Sequence, residues 1–247
     1  MNNKVALVTG SSKGIGKCIA KKLVDNNYIV YINGRDLETL KKAAKDLCTN
    51  VKLIDYDLTN DSNIKNTVDK IVKDEGRLDL VVANIGSGKS ISGWNIDIEE
   101  YRRVFDINFF NAVSLATRSV EVMKDKAGHI IFISSIAGCE SLGAPITYSS
   151  AKTALLSFSK SLSNEVAKFN IRVNSISPGN VMFDGSTWDD KMKNNKDWVE
   201  KYIETNVPLN DFATPEDIAK AVLYLEDSRF ITGANIVVDG GQLNKII

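Results

Sequence analysis

Short runs rich in Val and Ile recur along this chain, and longer amphipathic stretches separate them. Strands that alternate with helices in this way predict a parallel sheet covered by helices on both faces. The chain has 247 residues, a length that suits one α/β domain spanning residues 1–247. The expected strands are Val5–Val8, Ile29–Ile32, Val51–Ile54, Leu78–Ala83, His129–Ser134, Arg172–Ile176 and Ile236–Val238.

Composition argues against several classes of function. Lys and Arg together number 31 and so do Asp and Glu, so neither nucleic acid nor an anionic membrane surface is expected as a partner. No apolar run approaches the length of a bilayer, and residues 1–4 lead into a strand rather than a signal peptide. The scattered Cys18, Cys48 and Cys139 are interpreted as buried or incidental thiols of a cytoplasmic protein. His129 is the only histidine, which excludes a His-based metal site and a Ser-His-Asp triad.

A glycine-rich loop, Thr-Gly-Ser-Ser-Lys-Gly-Ile-Gly from Thr9 to Gly16, follows the first strand. Its glycines permit a tight turn, close approach of the backbone to a pyrophosphate, and close packing of helix on strand. The next helix offers N–H groups and the positive end of its dipole to phosphate. A glycine turn without a ligand is the alternative, and a Walker loop is excluded by spacing. The predicted ligand-binding residues here are Gly10, Ser12, Lys13, Gly14, Ile15 and Gly16.

The choice of cofactor is expected at the end of the second strand, where NAD-binding sites usually place an acid. This chain has Gly34 at that position and Arg35 immediately after it. Lys13 begins a helix, where a cation opposes the dipole unless an anion binds beside it. Arg35 and Lys13 together favour NADP(H) over NAD(H), because they can hold a 2′-phosphate. The alternative is that both are solvated charges and that Asp36 binds the ribose.

Ser135, Tyr148 and Lys152 form the predicted catalytic set. A tyrosine hydroxyl has a pKa of about 10 and is a poor acid or base at neutral pH. Lys152 follows Tyr148 by four residues, so both lie on one helix face. The lysine charge favours the phenolate and is expected to lower the pKa of the tyrosine.

These motifs resemble those of the short-chain dehydrogenase/reductase family, in its single-domain branch, over essentially the whole chain. The resemblance implies a Rossmann-type doubly wound parallel sheet of about seven strands in the order 3-2-1-4-5-6-7. It also implies an oxidoreductase that transfers a hydride between nicotinamide and a carbonyl or alcohol. The matching positions are Thr9–Gly16, Asp57-Leu58, Asn84-Ile85-Gly86, Asn108, Ser135, Tyr148, Lys152, Pro178-Gly179 and Val238–Gly241.

The resemblance assigns roles to the catalytic residues. Tyr148 is expected to be the general acid/base, and Ser135 to hold the substrate oxygen by a hydrogen bond. Lys152 is expected to lower the tyrosine pKa and to anchor the nicotinamide ribose. Asn108 lies within the apolar stripe of a helix starting at Asp97, and the family implies that it helps to hold a water in the proton relay. A purely structural amide, satisfied within the core, is the alternative.

Further matched positions imply contacts with the cofactor. Asp57 would accept from the adenine amino group, although a helix-capping acid is the alternative. Leu58 would lie beside the adenine ring, and Asn84 and Gly86 would line the adenine ribose. The nicotinamide carboxamide would meet Pro178, Gly179 and the backbone of Val181.

Two positions depart from the family pattern. Ile85 stands where the family usually has alanine, which puts a bulkier side chain near the ribose. Met182-Phe183-Asp184 stands where a threonine often touches the nicotinamide amide. The second departure puts that usual contact in doubt.

The polar segment from Asp184 to Asn206 is too long for a simple connection and predicts a lid over the substrate at about residues 182–208. Trp94, Trp188 and Trp198 offer stacking faces for a sugar or nucleotide sugar, or are ordinary lid packing. A 3-oxoacyl-[acyl-carrier-protein] reductase is the other substrate hypothesis. A non-catalytic NADPH sensor and a nucleotide-sugar epimerase or dehydratase are less favoured.

The surface of two helices suggests contacts between subunits. Phe109, Phe110 and Val113 are expected to lie away from the core stripe of their helix, and exposed apolar surface of this kind favours association. Family members are commonly tetramers or dimers, so a homotetramer or homodimer is expected. Small residues that allow close helix approach after Tyr148 are Ser150, Ala154, Ser157 and Ser161.

Overall fold

The computed structural model describes residues 3–47 and 50–244, and Cys48 lies outside this part of the chain. The strands are β1 (Val5–Val8), β2 (Ile29–Asn33), β3 (Val51–Ile54), β4 (Leu80–Ala83), β5 (Gly128–Ile133), β6 (Ile171–Pro178) and β7 (Asn235–Val238). The helices are α1 (Gly14–Asp25), α2 (Leu37–Leu47), α3 (Asp61–Glu75), α4 (Ile98–Phe105), α5 (Asn111–Met123), α6 (Ile146–Val166), α7 (Thr187–Asn194), α8 (Lys196–Asn206) and α9 (Pro215–Asp227).

Within the described residues, the strands form one parallel sheet of seven in the order β3-β2-β1-β4-β5-β6-β7. This confirms the predicted topology. The chain runs outward from β1 to β3 and then returns to pair β4 with β1. Because the strand order reverses there, a crevice opens at the carboxyl ends of β1 and β4, where α/β folds bind their ligands.

Both faces of the sheet are buried. Alternate residues of β1 enter opposite clusters: Val5 and Leu7 pack into one, and Ala6 and Val8 into the other. All four are almost completely inaccessible to solvent. Continuous apolar strands of this kind suit a parallel sheet covered by helices on both sides.

The predicted helix from Asp97 is interrupted. Asp97 caps α4 by accepting from the Glu99 N–H at 2.8 Å. Residues Asp106–Phe110 then form a π-helical turn before α5 begins. A π-turn widens the helix by one residue and is often found at functional sites. Here it contains the buried Asn108.

The segment expected to form a lid contains two short helices, α7 and α8. Ser186 caps α7 by accepting from the Asp189 N–H at 3.0 Å, and Asn195 caps α8 by accepting from the Trp198 N–H at 3.3 Å. The capping side chains satisfy helix-terminal donors that water would otherwise solvate. The segment is therefore a pair of capped helices rather than an irregular loop. No helix in the described part of the chain is long and apolar enough to cross a membrane.

A polar network closes the amino edge of the sheet. The buried carboxylate of Glu226, at the end of α9, accepts from Tyr28 at 2.6 Å and from the His129 ring at 2.9 Å. Arg172 donates to the same carboxylate at 3.2 Å, and Lys4 pairs with it at 2.9 Å. His129 therefore has a structural partner. Its pKa is lowered by burial, so the ring is mostly neutral.

Candidate active site

The predicted catalytic side chains meet at the carboxyl edge of β5. Ser135 follows that strand, and its hydroxyl accepts from the Ala137 N–H at 3.2 Å at the start of a short 3₁₀ turn, Ile136–Gly138. Tyr148 and Lys152 lie one turn apart on α6. The ammonium of Lys152 is 5.9 Å from the centre of the Tyr148 ring. The three residues therefore form one cluster.

Lys152 is a buried lysine with few partners. Its side chain donates to the Ile133 carbonyl at 2.9 Å, and the residue is 3% exposed. Burial lowers its pKa to about 8, and no carboxylate in the described part of the chain counters this shift. A lysine poised near neutrality is typical of a functional site.

The pKa of Tyr148 differs from the expectation. Burial raises it, and a hydrogen bond with Ser135 lowers it, with burial the larger effect. Lys152 does not lower it in this structure, because its ammonium points to the Ile133 carbonyl. The predicted lowering by the lysine is therefore wrong for this state of the protein. The phenol is protonated at neutral pH.

Asn108 is a fully partnered core amide. Its Oδ1 accepts from the Ser87 N–H at 2.9 Å, and its Nδ2 donates to the Ser87 carbonyl at 3.1 Å and the Val104 carbonyl at 3.0 Å. These bonds match the structural alternative. The amide nevertheless lies beside the catalytic cluster, since a Cβ added to Gly86 would come 2.9 Å from Asn108 Oδ1 and 3.1 Å from Lys152 Nζ.

Gly86 borders Lys152 and Asn108, because the chain runs from the end of β4 towards the catalytic cluster. The predicted contact of Gly86 with the adenine ribose stays a prediction. Asn84, at the start of that stretch, donates to the carbonyls of Thr9 and Gly10 at 3.0 and 3.1 Å. Its side chain thus holds the glycine loop.

The glycine loop has the geometry of a phosphate site. A Cβ on Gly16 would come within 2.4 Å of the Gly10 carbonyl oxygen, so only glycine fits at this crossing of helix and strand. Lys13 is the N-cap of α1, and no side chain of the described residues caps that helix. Its first N–H groups and positive dipole end can therefore serve an anion. A dinucleotide pyrophosphate fits these donors.

Asn33 is a site residue that the sequence reasoning missed. It ends β2, is 2% exposed, and accepts from the Gly10 N–H at 3.3 Å. Its amide donates to the carbonyls of Ile54 and Tyr56 at 2.9 Å each. It therefore links the glycine loop to the end of β3. The signal was available, since a polar amide that ends an apolar strand has to find buried partners.

One cavity of about 390 Å³ contains the residues that are expected to determine the choice of cofactor. It is lined by Ser12, Lys13, Arg35, Asp36 and Thr39. Asp36 accepts from the Thr39 N–H at 2.8 Å and from the Thr39 hydroxyl. That carboxylate oxygen is engaged at the start of α2, which weakens the alternative that Asp36 binds a ribose. Lys13 and Arg35 are exposed in the same cavity.

Asp57 and Leu58 follow β3 beside this cavity. Asp57 Oδ2 is 3.8 Å from Arg35, and Oδ1 accepts from the Thr59 N–H at 3.0 Å. Asn60, and not Asp57, caps α3, so the helix-cap alternative for Asp57 is wrong. The side chain of Leu58 is 2% exposed and packs in the core. Only its backbone can therefore lie beside an adenine ring.

The predicted carboxamide-binding segment leaves the sheet at the end of β6. Pro178 ends that strand, and the Gly179 N–H donates to the Val238 carbonyl at 2.9 Å. A Cβ on Gly179 would come 2.8 Å from Asp239 Cα, so the glycine permits this close crossing. Val181 pairs with Ala213 and is 7% exposed. Because the Val181 side chain is packed in the interior, its backbone is the part left for the predicted contact with the nicotinamide carboxamide.

The lid tryptophans Trp188 and Trp198 pack in one aromatic cluster with Tyr202 and Phe212. Trp188 and Trp198 are stacked with ring centres 6.4 Å apart, and Tyr202 lies 5.4 Å from Trp198. Lys191 covers the Trp188 ring at 4.1 Å. This arrangement supports the lid-packing interpretation for these two residues. Trp94 lies apart from them in sequence and is 84% exposed.

Comparison with known proteins agrees with this geometry. The family model described as enoyl-(acyl carrier protein) reductase matches residues 10–242. The chain belongs to the short-chain dehydrogenase/reductase family. As a member it is a nicotinamide-dependent oxidoreductase, which confirms the enzyme class predicted from the motifs.

Several relatives span the whole chain. It is 34% identical to carbonyl reductase family member 4 of Xenopus tropicalis, over 96% of this chain and 97% of that protein. It is 36% identical to the 3-oxoacyl-[acyl-carrier-protein] reductase FabG of Chlamydia muridarum, over 97% of each. Among solved structures, L-sorbose reductase of Gluconobacter frateurii, complexed with NADPH and L-sorbose, has a TM-score of 0.92 at 29% identity, over 100% of this chain and 98% of that one.

Proposed function

We propose that this short-chain dehydrogenase/reductase is an NADP(H)-dependent oxidoreductase that acts on a carbonyl or alcohol substrate, with Tyr148 as general acid/base. The observation that carries the proposal is the cluster of Ser135, Tyr148 and the buried Lys152 at the ligand-binding edge of the sheet. A protonated phenol beside a hydroxyl and a lysine of pKa about 8 suits proton transfer to a substrate oxygen.

In carbonyl reduction, each residue of the cluster has a separate role. The cofactor, when bound, supplies the hydride. Ser135 donates a hydrogen bond to the substrate oxygen and orients it. Tyr148 gives its hydroxyl proton to the same oxygen as negative charge develops there. The Lys152 ammonium, which donates to the Ile133 carbonyl in this structure, turns towards the phenolate that remains and stabilises it. Gly86 keeps this region open by leaving room beside Lys152.

The preference for NADP(H) is supported by Lys13 and Arg35, which line one cavity and are exposed to an incoming 2′-phosphate. The test is the dissociation constant for NADPH and NADH with wild type, Lys13→Ser and Arg35→Ser. A charge-assisted hydrogen bond contributes about 1.5–3 kcal/mol, so each variant is expected to weaken NADPH binding about ten- to a hundredfold. NADH binding should change little, and Lys65→Ser, an exposed cation on α3, is the control. Tighter binding of NADH than NADPH by the wild type would overturn the preference.

Two substrate classes have specific support. Similarity to FabG-type proteins favours a 3-oxoacyl thioester on an acyl carrier protein. Similarity to an L-sorbose reductase favours a sugar, and so does a cavity of about 550 Å³ between α8 and the chain end. Its lining is largely hydroxyl and amide groups: Ser141, Tyr202, Thr205, Asn206, Asn210, Gln242 and Asn244. Oxidation of NADPH with a 3-oxoacyl thioester, a ketose and a sugar nucleotide separates the classes.

A homotetramer or homodimer remains part of the proposal. Phe110 is 53% exposed, which supports a subunit contact on this helix surface. Phe109 does not contribute as expected, because it packs partly buried against the core and against Phe158 at 6.1 Å between ring centres. Sedimentation at micromolar concentration is the test, and a monomer alone would contradict the proposal. A cytoplasmic location likewise stays a prediction.

A further inference from the structure

The chain between β4 and α4 touches the catalytic region at two points. The first is Ser87, whose N–H and carbonyl are both bonded to the side chain of Asn108. The second is Ser90, whose hydroxyl is hydrogen-bonded to the hydroxyl of Thr147. Thr147 is completely buried and directly precedes Tyr148 in the first turn of α6. This segment therefore contacts the helix of the proposed general acid at the adjacent residue.

The direction of the bond between Ser90 and Thr147 follows from a third group. The Ser90 hydroxyl also donates to Oε1 of Glu100 at 3.2 Å. An ionised carboxylate can only accept, so the Ser90 proton points to Glu100 and the Ser90 oxygen accepts from Thr147. Thr147 lies at the second position of α6, where the helix has no carbonyl one turn earlier for its hydroxyl to use. The hydrogen bonds therefore run in one direction, from Thr147 to Ser90 to Glu100.

Glu100 is held firmly at the end of this chain of hydrogen bonds. Arg103, one turn later on α4, donates to its two carboxylate oxygens at 2.6 and 2.8 Å, and to the Lys89 carbonyl at 3.1 Å. The Ile91 N–H donates to the same carboxylate at 3.2 Å. The Glu100 side chain is 11% exposed, and the bond with Arg103 lowers the pKa of its carboxyl to about 2. The carboxylate is therefore ionised at neutral pH and fixed in position.

The start of α6 is the part of that helix that its own hydrogen bonds hold least. The first four N–H groups of a helix have no partner within it, and no side chain of the described residues caps α6. Tyr148 is the third residue of the helix and lies in this turn. The bond from Thr147 ties the turn to α4 through Ser90 and Glu100. Because a small misplacement of a reacting group lowers the rate steeply, such a tie matters for proton transfer.

We infer that Glu100, Ser90 and Thr147 position Tyr148 for proton transfer. The three are positioning residues, because they act through the first turn of α6 and take no part in the chemical step. The inference rests on the proposed role of Tyr148 as general acid/base. A residue that only stabilises the fold changes the free energy of unfolding. A positioning residue lowers kcat and leaves KM and cofactor binding unchanged.

The test is Thr147→Val, which keeps the shape of the side chain and removes its hydroxyl. NADPH oxidation is measured with acetoacetyl-coenzyme A or L-sorbose, whichever the wild type reduces faster. Thr147→Val is expected to lower kcat about tenfold and to raise the solvent isotope effect on kcat, because the proton transfer becomes slower. KM and the dissociation constant for NADPH should stay at their wild-type values. Thr147→Ser, which keeps a hydroxyl, should recover most of the turnover.

Two further variants test the same chain of hydrogen bonds from its other end. Ser90→Ala and Glu100→Gln should each lower kcat with KM unchanged. The double variant of Ser90→Ala with Thr147→Val should be no slower than Thr147→Val alone, because both substitutions remove the same bond. Ser90→Ala also serves if a substitution at the buried Thr147 impairs folding. Glu99→Gln is the matched control, since Glu99 precedes Glu100 on α4 and pairs with an arginine one turn later, but is 69% exposed.

Several outcomes would overturn the positioning role. They are a wild-type kcat in Thr147→Val, losses that multiply in the double variant, and a loss of kcat that follows lower stability without a change in the isotope effect. An equal loss of kcat in Glu99→Gln and Glu100→Gln would do the same. Full turnover in Tyr148→Phe would instead contradict the proposed function itself, so the two failures are distinguishable.

Discussion

The two edges of the sheet treat buried polar groups in opposite ways. At the amino edge, Glu226 has four partners: Lys4, Tyr28, His129 and Arg172. Burial raises the pKa of this carboxyl, but hydrogen bonds from His129, Tyr28 and Lys4 outweigh burial and lower it to about 2. The charge is therefore well compensated.

At the carboxyl edge, the corresponding groups lack such compensation. Among the residues that the structure describes, Lys152 has one carbonyl partner and no carboxylate to counter its burial. Tyr148 is partly buried with a raised pKa, and no side chain of the described residues caps the start of α1. Buried polar groups without full partners cost stability. The comparison teaches that a buried charge by itself does not mark a functional site. A buried charge that lacks a counter-charge marks a functional site.

The largest expected effect is at the carboxyl edge. Tyr148→Phe removes only the hydroxyl that passes the proton, and general acid catalysis contributes about 10²–10⁴-fold, so turnover should fall by that factor. Thermal unfolding should change little, because the ring remains. NADPH absorbance measures the rate, and Tyr224→Phe, 57% exposed on α9, is the control. Full turnover in Tyr148→Phe would contradict the catalytic role of the polar groups at the carboxyl edge.

A substitution at the amino edge should change the free energy of unfolding and leave turnover unchanged. Glu226→Gln leaves Arg172 without its counter-charge and His129 without its carboxylate partner, and breaking a buried ion pair costs about 3–5 kcal/mol. Urea unfolding at pH 7 measures the loss, with the exposed Glu99→Gln as control. The turnover of the folded variant should equal that of the wild type. A large loss of turnover without a loss of stability would break the comparison.

The lowered pKa of Glu226 predicts that the free energy of unfolding depends on pH in the acidic range. The folded pKa of Glu226 is about 2, below the ordinary value of 4.5. Its contribution to stability is therefore complete above the ordinary value and is lost as pH falls towards the folded one. Unfolding free energies of wild type and Glu226→Gln measured from pH 7 to pH 3 should converge. Parallel curves over that range would contradict the assignment.

The lowered pKa of Lys152 predicts that the rate of carbonyl reduction depends on pH in the alkaline range. Its pKa of about 8 lies below the ordinary 10.5, so the ammonium is present below pH 8 and is lost as pH rises through that value. Tyr148 stays protonated in this range because its pKa is raised. Carbonyl reduction, measured as kcat/KM, should fall about tenfold per pH unit above pH 8. Lys152→Arg, slow but always charged, should show no such fall.

The smallest expected effect concerns the space beside the catalytic groups. Gly86→Ala pushes a methyl to within 2.9 Å of Asn108 Oδ1 and 3.1 Å of Lys152 Nζ, so one of them must move by a few tenths of an ångström. Small misplacements of reacting groups are costly, and we expect turnover to fall about tenfold. Gly88→Ala is the matched control, since the nearest atom to its added Cβ is 4.0 Å away. Equal turnover in both variants would show that the space beside Gly86 is not critical.

The sequence by itself determined the fold and the enzyme class. Alternation of apolar runs with amphipathic stretches depends on local periodicity, and the strands formed within a few residues of their expected limits. The motif spacing placed Tyr148 and Lys152 one turn apart, because a helix fixes that geometry locally.

Only the tertiary structure decided how these groups are surrounded. The direction of the Lys152 ammonium, the position of Gly86 and the role of Asn33 depend on strands that are distant in sequence. The same holds for Phe183, whose contact with Gly14 joins segments separated by most of the chain. Periodicity carries no information about such pairs. Burial and charge compensation arise only when the elements pack together, so the pKa shifts became visible only in the folded molecule.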